Sequence, residues 1–517
     1  MTQILPLPFL APALLLAAAL VALAFPRRAA MPRMAEATTL AALALAGAGV
    51  LQLTLTGTQV LTLAPGLTLR LDAVGTTMAL LVAFVGWIVV RYARTYLVGE
   101  AGAARGHAGI LACLAFVLLL VQAGDLVLMT VSFLAIGLVM RQLLLFYPDR
   151  PEARRAAAKF SRVWGAGDLA LVVAALSAWQ AFGTTDLQAL NDAARAVPVL
   201  PLAAKISVAA LVLAALLKTA SFPLHGWLTE VMEAPTPVSA LLHAGIINGG
   251  GLLLIRTADL VQASPGAMAA LVMLGGLTAL FGAAVMLTQS AVKTALAWST
   301  IAQMGFMLLQ CGLGLWALAL LHIVAHSLYK AHGFLASGQA VQAVAAARRP
   351  GPVAVPGVGA VARAFALALV LYAAVAFGFW AIGGPKSAQA LALGAILIFG
   401  TAYLVAQGLA DAAPMALTRR TAVASLAAGV GYFGFHLLAA LLWGPHLPKP
   451  PVPGALEWAL IVLALTSFGL VAVAQALFPL WAHHPASAAL RVHLANGLYL
   501  NAIFDRLIGG FRAVRSH

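Results

Sequence analysis

The sequence predicts an all-α integral membrane protein of about 14–15 transmembrane helices, and three observations carry that reading. Of 517 residues 63% are hydrophobic and only 9% charged, where soluble domains carry about 25% charged residues. About fifteen apolar runs approach the length that a helix needs to cross about 30 Å of hydrocarbon. Lysine and arginine, which give a formal charge of +15, gather in alternate connections between those runs.

The runs follow one another with little between them. Ile4–Phe25 is aliphatic up to Pro26 and a basic cluster, lacks a small-residue cleavage site, and reads as a first span, not a removable leader. Thr38–Leu55, Thr76–Val90, Ala108–Val121 and Leu126–Tyr147 come next, then Val163–Phe182, Leu200–Phe222 and Pro237–Ile255. Met268–Leu287, Thr294–Cys311, Leu313–Gly338, Val358–Ala381, Ala388–Val405, Val423–Trp443 and Trp458–Leu477 complete the set. Each is far longer than the ten-residue alternating segments of an outer-membrane barrel. The longest connections, such as Pro148–Arg162, Gln339–Gly357 and Gly444–Leu456, leave no room for a large soluble domain, so residues 1–517 read as a single polytopic membrane domain. The basic stretch PDRPEARRAAAKF, rich in helix formers, reads as a cytoplasmic lid at the bilayer surface or as a docking surface for a soluble partner, and the Pro-rich GPVAVPGVG and GPHLPKPPVPG as extended linkers.

Basic residues follow the odd-numbered spans: Arg27, Arg28 and Arg33; Arg91, Arg94 and Arg105; Arg150, Arg154, Arg155 and Lys159; Arg348 and Arg349; Arg419 and Arg420; Arg506, Arg512 and Arg515. By the positive-inside rule the N-terminus lies outside and the C-terminus in the cytoplasm, as expected in a bacterial inner membrane. The connection after the seventh span holds no lysine or arginine and does not test the pattern. This placement accounts for the charge without nucleic acid and makes membrane lipid the expected surrounding.

Metal and cofactor chemistry find no motif here. Cys113 and Cys311 stand in separate runs with no partner spacing, and no phosphate-binding glycine loop or nucleophile elbow occurs in a meaningful context. Asn248–Gly251 reads NGGG, and inside a membrane helix such glycines favour close packing.

The chemistry concentrates on ionisable residues inside apolar runs. Lys218 lies five residues before Pro223, which removes a backbone donor and is expected to break the helix at membrane depth. A lysine there costs roughly 2.5–3.5 kcal/mol on insertion scales, so its presence points to function. His322, His326 and Lys330 recur every four residues and share one helix face, while His243 and Lys293 lie in or beside neighbouring spans. Imidazole exchanges protons near neutral pH, which a hopping path for protons or sodium ions requires.

Three long motifs in order, LKTASFPLHGWLTEVMEAPTPVSALLHAG, AVKTALAWSTIAQMGFM and LLHIVAHSLYKAHGFLASG, resemble the antiporter-like subunits of respiratory complex I (the NuoL type) and of Mrp sodium–proton antiporters. LRLDAVGTTMALLVAFVG and NGLYLNAIFDRL add to the resemblance. Within that superfamily, LLLFYPDRPEARRAAAKF and MEAPTPVSALLHAGIINGGG are most similar to the DabB-type subunits of DabA–DabB inorganic carbon accumulation systems. The resemblance implies antiporter-like inverted repeats at 108–255 and 268–405 with broken helices, followed by C-terminal helices and a cytoplasmic tail at 423–517. It implies a cation-conducting subunit with a DabA-like zinc-binding, carbonic-anhydrase-like partner and no catalytic site of its own. By the same resemblance Lys218, His243, Lys293, His322, His326 and Lys330 form the translocation axis.

Two departures from the family pattern shape the expected mechanism. Leu134 aligns where these subunits carry a fifth-helix glutamate that pairs with the lysine, and Ile382 where they carry a twelfth-helix lysine or glutamate. Asp168, similar to the family's sixth-helix aspartate, is the remaining candidate partner for Lys218. A redox-pump or sodium–proton antiporter subunit is the alternative reading, and a non-conducting scaffold a third.

Overall fold

The structure is a computed structural model that describes residues 5–26, 30–339, 357–408 and 415–507. Arg27, Arg28, Arg348, Arg349, Arg512 and Arg515 lie outside the described residues. Among the described residues, eleven helices are long and apolar enough to cross a membrane. They include α1 (Leu10–Ala24), α2 (Met31–Thr56), α3 (Ala73–Tyr96), α4 (Ala103–Gln122), α5 (Leu126–Leu144) and α6 (Pro151–Phe182). Short α7 (Leu187–Ala196) leads to α8 (Leu202–Lys218) and α9 (Gly226–Glu230). A broken span, α10 (Thr236–Ala244) and α11 (Gly249–Arg256), is followed by α12 (Ala258–Gln262), α13 (Pro265–Met286), α14 (Val292–Gly312) and α15 (Trp316–Leu335). The remaining helices are α16 (Val358–Gly383), α17 (Ala388–Gly408), α18 (Met415–Trp443), α19 (Ala455–Ala476), α20 (Phe478–Trp481), α21 (Pro485–Ala495) and α22 (Leu500–Leu507). Four further runs read as spans are helical but shorter or more polar: α8 has 17 residues, α14 and α15 carry polar residues of the axis, and α17 is a shorter apolar helix over Ala388–Gly400.

Four local features differ from the sequence reading. The PDRPEARRAAAKF stretch, read as a connection, is continuous with the next span: Pro151 sits at the first helical position, where its missing donor costs nothing, and residues 151–160 form the first turns of α6. A β-hairpin, β1 (Gln59–Ala64) and β2 (Leu67–Leu71), joins α2 to α3 across Pro65 and Gly66, whose φ of +75° suits glycine. Helix α8 stops at Lys218, five residues ahead of Pro223. Ala220 takes φ +51° and the Ser221 N–H donates to Leu216 O at 3.1 Å, a Schellman turn that ends the helix before the proline can act. Beyond Leu477, where the sequence shows no further span, the described residues hold three short helices, α20, α21 and α22.

Close helix approach holds the bundle, since hydrocarbon offers no hydrophobic drive between helices. Helices α13 and α14 meet along glycines spaced by seven residues on each helix: Gly275 faces Gly305, Gly282 faces Ala302, and Gly312 faces Val272. A methyl at Gly282 would lie 2.7 Å from Ala302 N. The NGGG stretch works the same way, as a methyl at Gly250 would lie 2.6 Å from Ala215 O.

Candidate functional site

Asp168 and Lys218 face each other from α6 and α8. Lys218 Nζ donates to Asp168 Oδ1 at 2.6 Å, and the lysine side chain is fully buried. Counted at 1.5 Å per residue, Asp168 lies about 26 Å from the start of α6 and about 21 Å from its end, so the pair sits near the middle of that helix, where α8 stops. The ammonium also lies over the rings of Trp164 at 4.1 Å and Phe133 at 4.7 Å, both favourable cation–π placements. Trp164 is held by its indole N–H, which donates to Phe133 O at 3.1 Å, and by Gly137, where a methyl would collide with the ring. Gly167 lets the α6 backbone approach the lysine, with room for a Cβ only 3.3 Å from Lys218 Cε.

The α5 residue that meets Lys218 is Phe133, not Leu134. Consecutive helical residues point about 100° apart, and Leu134 is 47% exposed on the outer surface. Ile382 likewise is 76% exposed, so neither position that lacks an expected charge faces the interior.

A second polar group follows from α10, α11, α14 and α15. Asn248, in the break between α10 and α11, donates to Ser327 Oγ at 2.9 Å and Ala244 O at 3.0 Å. His326 Nε2 lies 3.2 Å from His243 O, and His243 Nδ1 lies 3.1 Å from Thr300 Oγ1 while its ring stacks on Phe334 at 4.3 Å. Thr300 Oγ1 donates to Leu296 O at 3.0 Å, and Lys330 Nζ donates to the same carbonyl at 3.1 Å. His326, His243, Thr300, Leu296 O and Lys330 therefore form one connected set. His322 extends it along α15, its ring 6.0 Å from that of His326. Lys330 is buried with no ion pair among the described residues. Lys293 stays apart: it is half-buried in the first turn of α14 and forms no hydrogen bond or ion pair among the described residues.

Several participants escaped the sequence reading. Phe160, Trp164 and Asp168 share a face of α6 at four-residue spacing, a stripe visible in KFSRVWGAGD once Asp168 is taken as the anchor. Thr300, Asn248 and Ser327 carry no signal of their own, because a hydroxyl or amide in a membrane helix is ordinary until its partner is known. His243 Nε2, His322 Nε2, His225 Nδ1 and Trp227 Nε1 are buried without a protein hydrogen-bond partner. Each such atom costs about 1–3 kcal/mol unless water meets it, which suits a hydrated path. No group of three metal-ligating side chains converges among the described residues.

At the far end of α11 a cleft of about 290 Å³ collects Arg70, Asp72, Arg195, Arg256 and Asp259. Arg256 bridges Asp72 at 2.5 Å and Ala123 O at 2.6 Å. Burial pushes the Asp72 carboxyl up, but Arg256, the Gly75 N–H and Arg70 outweigh it and hold it below its ordinary value.

Residues 123–350 match the family described as NADH:quinone oxidoreductase/Mrp antiporter, TM, and residues 58–105 match NADH-Ubiquinone oxidoreductase (complex I), chain 5 N-terminus. The probable inorganic carbon transporter subunit DabB2 of Halothiobacillus neapolitanus is 35% identical over 446 residues, 85% of this chain and 80% of the relative. The chain belongs to the DabB group of antiporter-like membrane subunits. The probable inorganic carbon transporter subunit DabB of Hydrogenovibrio crunogenus is 42% identical over 266 residues, 51% of either chain. NADH-quinone oxidoreductase subunit L of Mycobacterium tuberculosis is 31% identical over 461 residues, 84% of this chain and 69% of the relative. The fold is shared with the Mrp complex of Dietzia sp., at a TM-score of 0.62, 23% identity and coverage of 98% of this chain and 60% of that one. These matches establish the family that the sequence motifs resembled, and with it a multi-pass membrane protein.

Proposed function

We propose that this chain is the proton- or cation-conducting membrane subunit that energises inorganic carbon accumulation with a DabA-like, zinc-binding, carbonic-anhydrase-like partner. The observation that carries it is the buried Asp168–Lys218 pair, followed by the connected set from His326 to Lys330. A buried ion pair in hydrocarbon is retained at a cost in stability, and its use is to exchange charge. The inorganic carbon reading draws on the similarity to two probable inorganic carbon transporter subunits, at 35% and 42% identity.

In this mechanism Asp168 holds Lys218 as the ammonium, Trp164 and Phe133 exclude bulk water from it, and the histidine set passes charge between His326 and Lys330. Loosening the pair frees a proton from Lys218, and reprotonation restores it. The two repeats, 108–255 and 268–405, would contribute one polar group each apart from His243 and Asn248, which the first lends to the second. One elementary charge falling through 100 mV releases about 2.3 kcal/mol, enough to shift a coupled hydration equilibrium roughly fifty-fold. The N-terminus lies outside and the C-terminus in the cytoplasm of a bacterial inner membrane in this reading.

The test is growth of a carbonic-anhydrase-deficient bacterium in ambient air with this chain and its zinc partner expressed together. Wild type is expected to rescue and Lys218→Ala to fail at equal membrane levels. Absence of rescue by wild type would turn the reading toward a redox-pump or sodium–proton antiporter subunit, which the similarity to subunit L supports. Rescue by both would leave a non-conducting scaffold.

A further inference from the structure

Nine residues before Asp168 on α6, about 13 Å along the axis, a second lysine is fully buried. Lys159 Nζ lies 2.8 Å from Glu230 Oε1 and 2.6 Å from Asp505 Oδ1, and also contacts Asn501 Oδ1. Glu230 belongs to α9, in the segment that follows the α8 break, whereas Asn501 and Asp505 belong to α22, more than 300 residues beyond Lys159. The contact is built from both sides. Asn501 Nδ2 donates to Glu230 Oε1 at 2.7 Å, and Arg155 bridges Asp505 at 2.7 Å and Glu230 at 3.4 Å. Gly226 opens α9 directly beneath α22, and a methyl there would collide with Asn501 Oδ1.

What α22 covers is the approach to the Asp168–Lys218 pair. Between Lys159 and Lys218 stand the rings of Phe160, Trp164 and Trp227, in mutual contact at 5.1–6.1 Å. Beside them His225 Nδ1 and Trp227 Nε1 are the two buried polar atoms of the break segment that find no partner in the protein. His225 packs on Trp298, against which Gly497 closes with a Cβ position 3.3 Å from the ring. The chain thus folds its last described helix over a place where unpartnered polar atoms lie between a charged rim and the buried pair.

We propose that α22 is a plug over the entrance to the polar axis, latched by Asp505 and Asn501 onto Lys159 and Glu230, and that its release admits the ion. The gating half of this inference rests on the conduction reading, while the covering half does not. Four charges meet at the latch, Lys159 and Arg155 against Glu230 and Asp505, so the closed state is neutral. Removing Asp505 leaves an excess of one positive charge at the rim and no carboxylate from α22 to hold it.

The test uses the full chain purified in detergent with a reporter His225→Cys, labelled by a charged, membrane-impermeant maleimide. Cys113 and Cys311 are buried and contribute little background. Labelling is expected to accelerate at least tenfold when Asp505→Ala is added, and to return to the starting rate with Asp505→Glu. Gly226→Ala, which keeps every charge while wedging Asn501 aside and pressing on Lys159 Nζ, is expected to give the same acceleration, so a folding defect in one variant does not decide the matter. Equal labelling in all of these would overturn the plug. In a second arm, proteoliposomes with a trapped pH dye and a potassium diffusion potential report ion flux without the reporter. Asp505→Ala is expected to raise flux several-fold, and unchanged flux over a conducting wild type would overturn the gating. Accelerated labelling with a wild type that carries no flux would retain the plug and remove the conduction reading instead.

Discussion

Replacing Asp168 by asparagine isolates the interaction on which the proposed mechanism depends. The side chain keeps its size and loses its charge, so Lys218 is left deep in the bundle with two aromatic faces and no carboxylate. Two unit charges 2.6 Å apart attract by about 6 kcal/mol at an effective dielectric constant near 20. Desolvation offsets part of this, and measured losses on breaking a buried pair from one side run at about 3–5 kcal/mol. The contacts to Trp164 and Phe133 return about 0.5–2 kcal/mol each where water is excluded. A net loss of about 3 kcal/mol is therefore expected, equivalent to roughly two decades in an equilibrium constant. Flux through proteoliposomes under an imposed potential is expected to fall about a hundredfold with Asp168→Asn and to survive largely in Asp168→Glu. The pairing has a second readout in thermal unfolding. Asp168→Asn and Lys218→Met combined are expected to be less destabilising than their sum by about 3 kcal/mol. Flux within twofold of wild type, together with additive stability losses, would refute the reasoning.

Other expectations follow from single residues. Lys330→Met removes a buried ammonium held by one carbonyl, so melting temperature is expected to rise by a few degrees while flux falls more than tenfold, a trade that calorimetry and the dye assay measure on the same sample. Ala220→Gly places glycine where φ is +51° and is expected to stabilise the chain by about 1 kcal/mol in denaturant titration. Gly137→Ala drives a methyl into Trp164 and is expected to cost about 1–3 kcal/mol, with indole fluorescence shifted as the ring leaves the lysine. Asp72 has a lowered carboxyl, so its contribution is present above the unfolded value near 3.9 and lost as pH falls through the lower folded value. Unfolding scans are expected to show an acid limb below about pH 4 that Asp72→Asn flattens.

Composition, run length and the periodicity of polar residues were enough to determine a helical membrane protein and to point at Lys218, His243, His322, His326 and Lys330. A charge in hydrocarbon is expensive whatever surrounds it, and four-residue spacing places side chains on one face of any helix. Rotation about a helix axis was not legible: Leu134 and Phe133 are adjacent in the chain, yet one faces outward and the other the lysine. Chain termination of α8 was misread as the work of Pro223, because a Schellman turn at Ala220 is written in φ and hydrogen bonds, not in a breaker residue. Partnership at a distance was decided by the tertiary structure alone. Asp168 lies 50 residues from Lys218 and Asp505 some 350 from Arg155, and no local pattern records which helices a bundle will lay side by side. Sequence determines which groups cannot tolerate being alone in the membrane, and only packing decides which of them are brought within 3 Å of each other.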